Sequence, residues 1–133
     1  MNGETNLQSL ISKMVPQLQQ GEYVFCTVKD VADIDINKIM GFFKEAEGFT
    51  IILPRESADQ LGLAYSYIAA WITLMVHSSL EAVGLTAAFS NALAENGISC
   101  NVVAAYYHDH IFVHTNDAEK AMSVLNKLSK SAG

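Results

Sequence analysis

The apolar positions of the chain switch between helical and strand spacing. Over residues 5–18, Leu7, Leu10, Ile11, Met14 and Leu18 recur at helical intervals, with Thr5 or Asn6 placed to cap the start and Gly21 just past the end. Pro16 is expected to end or distort the last turn. Tyr23–Val28 is a β-branched and aromatic run of strand length. Lys29–Lys38, with Asp30, Asp33 and Asp35, has weak periodicity and reads as a loop with one helical turn. Ile39–Glu45 and Phe49–Leu53 read as a hairpin joined at Ala46-Glu47-Gly48, where Gly48 supplies a positive φ. Pro54 closes the second strand, and Arg55–Leu61 forms a short helix before Gly62.

The second half is clearer. Ile68–Val76 is a buried strand, and Val83–Asn96 an amphipathic helix with Leu85, Ala88, Phe89, Ala92 and Leu93 on one face and Gly97 at its C-terminal cap. Cys100–Tyr107 and His110–Thr115 read as strands joined by a tight turn at His108-Asp109. Both alternating sets of Cys100–Tyr107 are largely apolar, which implies cover on both faces, from the other half or from a partner chain. Asn116 followed by Glu119 resembles a capping box, and Ala118, Ala121, Met122, Leu125 and Leu128 form the next helical stripe.

The second half therefore runs strand, helix, strand, strand, helix. The first half runs strand, connector, strand, strand, short helix. This is a degenerate internal duplication with the first helix eroded. The expected fold is α+β: a ferredoxin-like α/β sandwich of two tandem units, with an antiparallel sheet and helices on one face. Residues 1–66 form the degenerate N-terminal unit with its leading helix, and residues 67–133 the second.

Composition narrows the function. Half of the 133 residues are hydrophobic, so some apolar surface is expected to be shared and the chain to be a homo-oligomer. The net charge of −6 and the lack of a Lys/Arg cluster argue against nucleic acid. Met1–Gln8 is polar and no apolar run has membrane-span length, so neither a secretory signal nor a membrane partner is expected. Cys26 and Cys100 lie in apolar strand-like runs with no CxxC spacing, and read as reduced buried thiols of a cytoplasmic protein.

The stretch ITLMVHSSLEAVGLTAAFSNALAENGISCNVVAAYYHDHIFV, over Ile72–Val113, resembles an ACT domain. Through FFKEAEGFTIILP, VHSSLEAVGLTAAFS and SCNVVAAYYHDHIFV, nearly the whole chain resembles a family of small bacterial tandem-ACT proteins of unassigned function. The C-terminal unit is similar to the ACT units of arginine-sensing proteins, through Gly84 at the helix start and the pair Asp109-His110. The resemblance implies regulatory binding of an amino acid or similar small molecule, at an interface between two ACT units, and implies neither catalysis nor a cofactor. The alternative is a ligand-free oligomeric scaffold that uses the same fold.

Two segments could carry such a site. The loop 77–84 leads into a helix start, where free backbone N–H groups and the helix dipole favour an anion. A ligand carboxylate suits the N–H groups of Val83, Gly84 and Leu85, with Ala82 and Thr86 beside them. Ser78 and Ser79 offer hydroxyls, Glu81 can hold an ammonium, and Gly84 allows close approach. The competing reading is that Ser79 or a neighbour simply caps the helix and Gly84 relieves crowding. In the turn Tyr106-Tyr107-His108-Asp109-His110, the resemblance implies that Tyr106, His108 and Asp109 line the far side, with Asp109 facing a cation. Asp109 also suits a plain turn. His108, His110 and His114 lack the spacing of a zinc site, so no metal is expected. There is no P-loop, GxGxxG or GxSxG, and Glu45 and Glu47 read as solvated hairpin residues rather than an acid–base pair.

Overall fold

A computed structural model describes residues 6–76 and 84–132. Contacts divide the chain into two compact units, one of residues 21–69 and one of residues 1–20 with 70–133.

In the unit 21–69, β2 (Tyr23–Val28) pairs antiparallel with β4 (Gly48–Pro54), which pairs antiparallel with β3 (Gly41–Glu45). Tyr23 and Val24 also pair with Ala69 and Ile68, at the start of β5 (Ile68–Met75). The connector 29–40 contributes only a single 3-10 turn, Ile36–Lys38, started by Asp35. The helix α2 (Arg55–Leu61) ends at Gly62 in the left-handed region. Val24, Cys26, Ile51, Leu53 and Ala58 form a small core, flanked by Val31, Ile34 and Ile39 from the connector. Gly48 has φ +148, and a Cβ there would meet the Val28 carbonyl oxygen at 2.9 Å. That oxygen is backbone and cannot swing away. Gly48→Ala is therefore expected to cost roughly 1–3 kcal/mol, measurable by urea denaturation.

In the other unit, β5 pairs with β1 (Val15–Leu18) and with β7 (Asp109–His114), and β7 pairs with β6 (Cys100–Ala104). Three helices cover one sheet face: α1 (Leu7–Lys13), α3 (Leu85–Glu95) and α4 (Ala118–Ala132). Leu10, Ile11 and Met14, then Leu85, Phe89 and Leu93, then Ala121 and Leu125 meet Ala70, Ile72, Leu74, Ile111 and Val113 in one core. Asn6 caps α1 by accepting from Ser9 N, and the Ser129 hydroxyl sits 3.1 Å from Ser12 O and 2.9 Å from Met14 O, serving two carbonyls at its end. Each unit is α+β, with helices packed on antiparallel strands.

Three local expectations are corrected. The helix expected over 5–18 stops at Lys13, because Pro16 pushes the chain before it into extended backbone. Val15–Leu18 then forms a strand, and Pro16 is tolerated because β1 has β5 as its one partner among the described residues. The turn expected at His108-Asp109 instead has Tyr106-Tyr107 at its tip, closed by Ala105 N donating to His108 O, with Asp109 paired to Ala104. This register puts Ile111 and Val113 in the core. Within this chain, Cys100 and Val102 of β6 face the core, whereas Asn101 is exposed and Val103 is 42% exposed. Finally, no Asn116–Glu119 capping box forms. A 3-10 turn over Thr115–Asp117 precedes α4, and His114 Nδ1 accepts from Asn116 N.

Candidate functional site

Of the residues expected at the α3 end, Ser78, Ser79, Glu81, Ala82 and Val83 lie outside the described residues. Gly84 is the N-cap of α3, with φ +94 and no side-chain capping bond. α3 also has no acidic residue in its first turn. Among the described residues, its opening N–H groups thus have neither a capping oxygen from Gly84 nor a carboxylate in the first turn to balance the dipole. Leu85 is buried and Thr86 exposed. A Cβ at Gly84 would meet Leu7 Cδ2 at 3.2 Å, in a backbone conformation that side chains avoid. A substitution there reports crowding against α1 as well as any loss of ligand.

The β6–β7 hairpin carries the other candidates. Tyr106 and Tyr107 are 68% and 71% exposed, their rings edge to face at 5.1 Å. His108 Nδ1 is buried and has no hydrogen-bond partner among the described residues. Asp109 opens β7 half-buried. Burial pushes its carboxyl above the ordinary range, and the neighbouring His108 partly offsets this.

His110 anchors a polar chain that sequence reasoning missed. Trp71 Nε1 donates to His110 Nδ1 at 3.0 Å, and the Thr73 hydroxyl lies 3.1 Å from the same nitrogen. Gln19 Nε2 donates to Thr73 Oγ1 at 3.0 Å. An indole is a donor only, so Nδ1 must accept and the neutral ring carries its proton on Nε2. Burial, then His108, pushes the His110 imidazole below its ordinary value. A lowered folded pKa means the unfolded state takes up the proton first. Stability should therefore be intact above about pH 6.5 and fall as the pH drops below it. Thermal midpoints recorded across that range should show this loss, and His110→Phe should flatten the profile. Trp71 reads as core from sequence. Only Thr73, a polar residue two positions on in an apolar run, hinted at a partner across the sheet.

Other candidate chemistry stays local. Among the described residues no three His, Cys, Asp or Glu groups are placed to hold a metal ion. His108 and His110 have ring centroids 6.4 Å apart, and His114 serves its own turn. Cys26 and Cys100 are free, and burial raises the Cys26 thiol, with Asp59 adding to the effect. Glu45 accepts from the Thr50 hydroxyl. No described helix is long and apolar enough to cross a membrane.

Comparison with known proteins gives this geometry a lineage. Residues 2–70 and 66–127 each match the sequence profile of an ACT domain. No curated protein is a significant match. A solved Vibrio cholerae protein of unknown function, named a possible transport protein, is 48% identical, with a TM-score of 0.83 over 92% of this chain and 95% of that one. An Agrobacterium tumefaciens protein has 16% identity and a TM-score of 0.70 over 87% and 89%. The regulatory subunit of aspartate kinase from Thermus thermophilus has 10% identity and a TM-score of 0.60 over 85% and 95%, a likeness of fold. The chain belongs to the ACT domain family, whose units are ferredoxin-like, and carries two of them in tandem.

Proposed function

We propose that this protein is a non-catalytic regulatory module that binds a small molecule, an amino acid, at the start of α3. The observation that carries this reading is the α3 N-terminus, opened by a positive-φ glycine with no side-chain cap. Such an end offers backbone N–H groups to a carboxylate. Asp109 supports it: it is half-buried, and no ion pair or side-chain hydrogen bond engages it among the described residues. The ammonium or another cationic group of the ligand would meet Asp109, with His108 and Tyr106 beside it. Ser78, Ser79, Glu81, Ala82 and Val83 would complete the cradle, and an ACT unit of another copy in a cytoplasmic homo-oligomer would close it.

The exposed aromatics Phe42, Phe43, Tyr106 and Tyr107 favour a second reading, a ligand-free oligomeric scaffold. Denaturing mass spectrometry of the purified protein separates the two. Stoichiometric release of an amino acid supports the sensor. A clean protein that also takes up no amino acid on dialysis favours the scaffold.

A further inference from the structure

The eroded connector of the unit 21–69 leaves a concavity that nothing above uses. In the other unit, the strand-to-strand connection is α3, which lays Leu85, Phe89 and Leu93 on its sheet. Here the equivalent connection is the loop 29–40, which supplies only Val31, Ile34 and Ile39. The gap between that loop and α2 is a cavity of about 220 Å³. Its floor is Leu53, with Ile34, Ile39 and Ser57 on the walls. At roughly 30 Å³ per water, the space suits about seven waters, or one small metabolite rather than a drug-sized ligand.

The rim carries Asp33, Asp35 and Lys38. Asp35 is engaged, accepting from Asn37 N at 3.0 Å. Asp33 and Lys38 have no ion-pair partner among the described residues. The open rim therefore presents two carboxylates and one ammonium above an apolar floor, with one oxygen of Asp35 already taken up by the Asn37 N–H.

We propose that this concavity binds a small zwitterion with an aliphatic body, its ammonium meeting Asp33, its carboxylate meeting Lys38 and its side chain lying on Ile34, Ile39 and Leu53. The site is independent of the α3 end and uses none of its residues. Because both charged groups are exposed, binding should weaken with added salt.

The test is a methyl NMR titration of the full chain with L-valine, and with isovalerate and isobutylamine as single-charge analogues. Saturable shifts are expected at the Ile34, Ile39 and Leu53 methyls. Asp33→Asn and Lys38→Gln, both at exposed positions, should each weaken valine binding by roughly two- to fivefold, the effect of losing one exposed ion pair. Each analogue should bind more weakly than valine by a similar factor. The same shifts should persist in Asp109→Asn. No saturable shift at these methyls with millimolar valine, equal binding of valine and its analogues, or shifts abolished by Asp109→Asn would each overturn the proposal.

Discussion

Replacing Phe89 by alanine should lower the unfolding free energy by about 3–5 kcal/mol. Phe89 is fully buried at the middle of the α3 stripe, between Leu85 and Leu93, in the core shared by α1, α4, β5 and β7. Removing its ring deletes apolar burial and leaves a void among side chains already committed to their rotamers. For a chain of this size the change is a large fraction of total stability. It should appear as a lower urea midpoint with an unchanged slope, and as a fall of roughly 10 °C or more in the thermal midpoint.

Asp109→Asn should act in two opposite directions. In the unliganded protein Asp109 titrates above its ordinary range, burial being the larger cause and His108 opposing it. A raised folded pKa means the group's stabilising contribution is present at low pH and is lost as pH rises through that value. At neutral pH the ionised carboxylate is thus a cost to the free protein. Asparagine has the same shape without the charge, so the variant should melt above the wild type at neutral pH. That advantage should shrink on acidification. The ligand effect runs the other way. At about a hundred times its dissociation constant a ligand stabilises the wild type by about 2.7 kcal/mol, and this increment should vanish in Asp109→Asn. Paired melts of both proteins, with and without ligand, check both arms. A residue kept at a stability cost and required for binding fits a site better than a turn.

The strands and helices whose signals are local were legible. Tyr23–Val28 and Arg55–Leu61 fall where their composition puts them, and Gly48 marks its hairpin because that turn needs a positive φ. The misreadings came where two signals competed. Leu7, Leu10, Ile11 and Met14 keep helical spacing, but the helix ends at Lys13, three residues before Pro16, and Met14 is already extended. Asp109 looks like a turn residue, yet core burial of Ile111 and Val113 sets the register and draws it into β7. The candidate site was only partly legible. A glycine before an apolar helix is a visible mark, and so is an acid beside two histidines. The link from Gln19 through Thr73 to His110 and Trp71 joins residues far apart in sequence, and only strand pairing brings them together. The concavity beneath Asp33 and Lys38 was equally hidden, since it arises from a helix that is missing rather than from a motif.

On the proposed reading, an amino acid stabilises this fold through the start of α3 and Asp109. A thermal-shift panel of all the common amino acids, run on wild type and Asp109→Ala side by side, tests it most directly. One compound or one chemical class should raise the wild-type midpoint by several degrees and leave Asp109→Ala unmoved. A flat wild-type response at millimolar ligand, or a panel in which no compound's shift is lost in Asp109→Ala, would contradict it.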